Sequence, residues 1–95
     1  MPDTHRKWTF VTSHGAVLVA VARNPDATVR ELAGSAEVTE RQAHRVLTDL
    51  VDEGYLLRER VGRRNHYRVN ESRPMRHPAL AHHNVGELLD ALSPE

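Results

Sequence analysis

Arg41, Gln42 and Arg45 crowd into one short polar stretch, and Arg63 and Arg64 stand side by side between Gly62 and Asn65. Guanidinium groups present forked donors that match phosphate oxygens and the guanine edge bidentately, and a glutamine amide matches adenine in the same way. Thr39 opens the first group, where its hydroxyl and a helix-start N–H would bind a phosphate favoured by the helix dipole. Glu40 and His44 share that polar face, and Thr28 opens the preceding segment in the same manner. Arg60, Asn65, His66 and Arg68 flank the second group, which would track a phosphate backbone or enter a minor groove. Each residue also has a plainer use. Exposed Arg and Gln are ordinary on a solvated helix face, and charges along a strand guard its edge against aggregation. What favours nucleic-acid contact is the coupling of the two groups, with charge concentrated at a turn. Glu40 and Asp49 would repel phosphate, so they are expected to act locally, as helix N-terminal charge and as the i, i+4 ion-pair partner of Arg45.

Other chemistries find less support. His77, His82 and His83 cluster near the C-terminal end, with His5 and His14 available from the N-terminal side, yet no spacing matches a recognised metal motif. Cysteine is missing, which excludes a disulfide framework, thiolate metal ligands and a cysteine nucleophile. No Ser/His/Asp arrangement, paired-carboxylate pocket or glycine-rich phosphate loop can be defended. The expectation is a protein that is not an enzyme and carries no cofactor and no metal.

The elements that would position the arginines are legible from capping. Thr28-Val29-Arg30-Glu31 and Thr39-Glu40-Arg41-Gln42 are successive capping boxes, so two helices start close together. The first is expected from Thr28 to about Gly34, with Val29, Leu32 and Ala33 inward, and Ser35 to Val38 forms the turn. The second is expected over 39–53, with Ala43, Val46, Leu47, Leu50 and Val51 on one face and Gly54 as the left-handed residue past its end. Before them, Ser13 caps a helix from His14 to Arg23, stopped by Asn24-Pro25. That helix is apolar nearly all round and must be buried on several sides. After them, Tyr55–Val61 and His66–Asn70 read as strands around a Gly62–Asn65 turn. Alternation puts Leu57 and Val61 on one face, which Tyr67 and Val69 do not both join without a bulge, and the register stays open. A proline-containing tract from Arg73 to Pro78 is expected to run extended. A short helix from Asn84 to Leu92 then carries a stripe of Val85, Leu88, Leu89 and Leu92.

Taken together, Thr28 to Arg68 has the layout of a winged helix-turn-helix domain. The stretch from about Phe10 to Asn70 resembles the winged helix-turn-helix domains of bacterial and archaeal transcriptional regulators, the MarR-like and ArsR-like group. It is most similar to short actinobacterial regulators. The resemblance rests on Trp8-Thr9-Phe10, Arg23-Asn24-Pro25-Asp26, Thr39-Glu40-Arg41, Glu53-Gly54-Tyr55 and Gly62-Arg63-Arg64-Asn65. It implies sequence-specific binding of double-stranded DNA, usually by a homodimer. It does not carry over an effector: the long terminal helices of MarR-like proteins and the recognition-helix cysteines of metal-sensing ArsR-like proteins are both missing.

Composition sets the outer bounds. A chain of 95 residues makes one domain with a modest core. Its fold class is expected to be α+β, mainly α, with a β-hairpin wing and a short C-terminal helix. The expected divisions are an arm at 1–12, the DNA-binding domain at 13–72, a connector at 73–83 and a packing or dimerisation helix at 84–95. The net charge is zero, but from Tyr55 to His77 there are seven arginines against two glutamates, whereas Pro78 to Glu95 holds only acidic charges. Twelve of the thirteen basic residues are arginine, which suits bidentate contacts, although a GC-rich genome would produce the same bias. No secretory leader is expected, and no apolar run reaches bilayer length, so the chain is expected in the cytoplasm, on the nucleoid when bound. The functional expectation is a transcriptional regulator, a homodimer on a pseudo-palindromic operator, with helix 39–53 in the major groove and wing 61–66 on the backbone or minor groove. Trp8, Phe10, Val17, Val85, Leu88, Leu89 and Leu92 are expected in the dimer seam. The alternative is a winged-helix protein-interaction module that binds no DNA.

Overall fold

A computed structural model describes residues 9–92. The elements are α1 (Ser13–Arg23), α2 (Val29–Ala36), α3 (Glu40–Asp52), β1 (Leu56–Val61), β2 (Arg64–Val69), a 3-10 turn (Pro78–Leu80) and α4 (Val85–Ala91). The architecture is α+β and mainly helical, with four helices and a two-stranded antiparallel hairpin among the described residues.

Local sequence explains most of the boundaries. At Thr28 and Thr39 both halves of the expected capping boxes are formed, with Glu31 and Gln42 returning the bond to the cap backbone. Asn84 and Glu87 make a third at the start of α4. Thr12, rather than Ser13, caps α1, because it is the extended residue and its hydroxyl accepts from the Gly15 N–H at 3.3 Å. The second helix runs past Gly34 to Ala36. Glu37 takes the left-handed conformation there (φ 58°) and its N–H, with that of Val38, closes on the carbonyls of Gly34 and Ala33. The turn into α3 is correspondingly tight. Gly54, at φ 83°, ends α3 as expected.

The core sits where α1, α2 and α3 meet the base of the hairpin. Val17, Leu18, Ala20 and Val21 of α1 face Leu32 of α2, Val46, Leu47 and Leu50 of α3, and Leu56 and Tyr67 of the hairpin. Leu32, Leu56, Val17 and Val21 have almost no accessible surface; each such side chain contributes roughly 1.5–3 kcal/mol on burial. The core includes no buried polar or charged residue among those described, so its specificity comes from shape and from the caps around it.

The hairpin is regular. Leu56 pairs with Val69, Arg58 with Tyr67, Arg60 with Asn65 and Val61 with Arg64, without a bulge. Leu56, Tyr67 and Val69 therefore share the inner face, while Leu57 and Val61 point outward and are exposed. The turn is Gly62-Arg63 alone, not the four residues 62–65. Gly62 at φ 62° supplies the left-handed first position that so short a turn requires, which lets Arg64 and Asn65 join the strand.

The connector is folded back rather than extended. Met75 and Val85 N–H groups bond the carbonyls of His83 and Arg73, each at 3.0 Å, and Gly86 N–H bonds Glu71 O at 2.9 Å. Pro78 opens the 3-10 turn under the His77 cap, whose ring Nδ1 accepts from Ala79 N–H. These bonds clip α4 onto its own chain. Val85 enters the core, Leu89 packs against it, and Arg23 donates to Leu92 O at 3.3 Å. Gly86 is obligatory in this clip: a Cβ there would come within 2.9 Å of Glu71 Cβ and 3.1 Å of its backbone oxygen. No helix among the described residues is long and apolar enough to cross a membrane.

Candidate nucleic-acid interface

The third helix is anchored by one face and open on the other. Ala43, Val46, Leu47 and Leu50 are buried, so Glu40, Arg41, Gln42, His44, Arg45 and Thr48 are left exposed. Arg41 and Arg45 make no hydrogen bond or ion pair among the described residues, and their guanidinium donors are available to a ligand. Gln42 is less available than expected. Its Oε1 accepts from the Thr39 N–H at 3.0 Å and lies 3.3 Å from the Thr39 hydroxyl, which itself accepts from Gln42 N–H. The amide oxygen a bidentate adenine contact would need is engaged in the cap, leaving the NH2 as the free donor. Thr39 and Thr28 likewise hold their hydroxyls in the caps.

Asp49 corrects another expectation. Its carboxylate meets His14 Nε2 of α1 at 2.8 Å, a bridge between helices, and not Arg45 one turn away. Nothing in the sequence spacing marks this pair, because its members are separated by the whole of α2. Its consequence is that Arg45 is left without a carboxylate partner among the described residues.

The hairpin sorts its arginines. Arg63 stands at the turn, exposed and without an internal partner among the described residues, and Arg58 is equally open on β1. Arg60 folds over the turn, Nε donating to Gly62 O at 3.2 Å. Arg64 is not at the tip. From β2 it reaches back to the loop between α1 and α2, donating to the Asp26 carbonyl at 2.7 Å, and His66 meets the Asp26 carboxylate at 2.7 Å. Asn65 and Arg68 are exposed. The three-residue latch of Arg64, His66 and Asp26 fixes the hairpin against the helical body, and sequence reasoning missed Asp26 because a loop aspartate carries no periodic signal.

The remaining arginines of the basic stretch serve the scaffold. Arg73 donates to Glu53 O at 2.9 Å and lies over the Tyr55 ring, 5.5 Å from its centroid. Arg76 meets Glu53 at 3.9 Å, a loose exposed pair. Tyr55, from the Glu53-Gly54-Tyr55 entry, donates its hydroxyl to Pro74 O. The histidines near the end are bound up locally: His83 meets Glu87 at 2.7 Å, and its ring lies 4.2 Å from that of His82. The hydrogen bond from His83, followed by that from the Asn84 backbone, holds the Glu87 carboxyl below its ordinary range. His5 lies outside the described residues.

Of the seam residues, Val17 and Val85 are corrected. They are 0% and 3% exposed within the single chain, so they have no surface to offer a second subunit. Leu88 and Leu89 are half-buried, Leu92 and Phe10 are exposed, and Trp8 lies outside the described residues. Set against known proteins, the chain matches no family model and no curated protein.

Proposed function

We propose that the chain is a sequence-specific double-stranded-DNA-binding regulator of the winged helix-turn-helix type. The observation that carries this is α3, pinned by an apolar face while Arg41, His44 and Arg45 project unpaired beside a hairpin tipped by Arg63. A helix so presented fits the major groove, where arginine reads guanine, and a basic hairpin alongside fits the backbone or minor groove. The Asp26 latch supports the reading, since fixed geometry between helix and hairpin lets one register both contacts on a duplex. A single recognition helix covers only a half-site, so the proposal includes a homodimer on a pseudo-palindromic operator. Its seam would form around α4, where the capping residue Leu92 is exposed.

A second reading, a protein-interaction module on the same scaffold, is favoured by the zero net charge and by Leu57 and Val61, which present exposed apolar surface on the outer face of β1. Fluorescence anisotropy with the gene's own upstream duplex and with a scrambled duplex, over a salt series, separates the two. The regulator prefers its own DNA by at least about two decades, with binding that weakens steeply with salt. Equal weak binding to both duplexes supports the interaction module.

A further inference from the structure

Charge is divided along α3. Arg41 and Arg45 lie one turn apart in its first half, and Asp49, Asp52 and the capping Glu53 follow at its end. Ala43, Val46, Leu47 and Leu50 mark the inner face, and at about 100° per residue Arg41, Arg45 and Thr48 fall on the line opposite it. A duplex meeting this helix is drawn to the first half, because the carboxylates of the second repel phosphate.

The hydrogen-bonding groups offered by that half are unevenly distributed. Each guanidinium presents only donors. Gln42 is the one amide on the helix, and its Oε1 has both lone pairs occupied, accepting from the Thr39 N–H at 3.0 Å and from the Thr39 hydroxyl at 3.3 Å. Thr48 donates its hydroxyl proton to His44 O at 3.0 Å. Adenine shows a donor beside an acceptor in the major groove, a pair matched by an amide with both of its groups free, and α3 has no such amide. Guanine shows two acceptors, N7 and O6, which a guanidinium fork matches. Glu40, the exposed carboxylate of the first turn, matches the cytosine N4 donor of the same base pair.

We propose that α3 reads a G·C-rich half-site in which Arg41 and Arg45 each contact a guanine through N7 and O6, and that Gln42 is a positioning residue of the helix start that reads no adenine. Four residues of helix advance about 6 Å against about 3.4 Å per base step, so the two guanines lie within about three base pairs of each other. This inference rests on the reading of the chain as a DNA-binding regulator and names the class of sequence that such a regulator recognises.

The experiment selects binding sites for the intact chain from a pool of randomised duplexes and then measures affinities for single-base variants of the selected site at fixed salt. The expected result is a half-site holding two guanines, at each of which replacement by adenine with its complement weakens binding about 5- to 150-fold. Substituting 7-deazaguanine, which loses only the N7 acceptor, should weaken binding several-fold at the same two positions. Arg41→Ala should relax the preference at one guanine and Arg45→Ala at the other. Gln42→Glu keeps an oxygen for the cap and removes the amide donors, so it should lower affinity for all duplexes while leaving their ranking unchanged, with circular dichroism confirming the fold. A defined operator whose adenines lose their preference in Gln42→Glu would overturn the proposal and leave the regulator standing. So would guanines indifferent to 7-deazaguanine, which would move the readout away from their major-groove edge. Equal affinity for every duplex, with no sequence enriched, would remove the regulator itself and this inference with it.

Discussion

Arg63 and Arg64 are neighbours in sequence with opposite engagements in the fold, and substituting each in turn separates the two. Arg63 stands free at the hairpin turn, while Arg64 is committed to the Asp26 carbonyl at 2.7 Å. A phosphate contact contributes about −0.9 to the slope of log affinity against log salt, so between about 50 and 200 mM salt it costs about 3.5-fold in affinity. Arg63→Ala should therefore flatten the slope by about 0.9 and weaken specific and scrambled duplexes alike. Arg64→Ala should leave the slope nearly unchanged and instead loosen the hairpin. The lost bond is solvent-exposed and charge-assisted, so it stabilises the fold by at most about 1 kcal/mol, a fall in Tm of about 4–8 °C for a domain of this size. Anisotropy titrations at four or five salt concentrations, paired with thermal melts, read both quantities. An equal flattening by Arg64→Ala would refute the reasoning, because the guanidinium would then be leaving Asp26 for phosphate. No change of slope with Arg63→Ala would remove the hairpin from the interface altogether.

Three further outcomes follow from the packing and the ion pairs. Leu32→Ala, at a position 2% exposed in the core, should destabilise the chain by about 2–5 kcal/mol, read by chemical or thermal denaturation; a loss below about 1 kcal/mol would mean that the three-helix core is not as tightly joined as its burial indicates. Gly86→Ala should cost about 1–3 kcal/mol, because its Cβ overlaps Glu71, and hydrogen exchange should show α4 released while α3 stays protected; uniform exchange throughout would contradict local release. Glu87 has its carboxyl held low by His83 and the Asn84 N–H, so its contribution is complete above the ordinary carboxylate range of about 4.3 and is lost as pH falls through its lowered folded value. Melts of wild type and Glu87→Gln from neutral pH to below that range should therefore converge in acid; curves separated by a constant amount at every pH would count against the linkage.

The helices were legible because their signals are local. Thr28, Thr39 and Asn84 each announce a helix start with a glutamate or glutamine three residues on, and Gly54 announces an end, since capping is decided by groups within one turn. The exposed face of α3 followed from periodicity, and with it Arg41 and Arg45. Boundaries that depend on a longer reach were not legible: α2 outruns Gly34 because Glu37 accepts a left-handed conformation, and the hairpin turn closes in two residues once Val61 faces Arg64. The hairpin register illustrates the same limit, as alternation within each strand says nothing about which residue of the other strand it faces.

The order and kind of the elements, the polar face of α3 and the clustering of arginine after Tyr55 are all written in the chain before it folds. These depend on side-chain type at short spacing, where chain connectivity leaves little freedom. Which of those charged groups remain free depends on the packing of the elements against one another. Asp49 goes to His14 and not to Arg45, Asp26 takes Arg64 and His66, Gln42 is held by its cap, and Val17 and Val85 are core residues with no surface for a seam. Such pairings join residues far apart in the chain, and their energies depend on distances that exist only once the helices have packed.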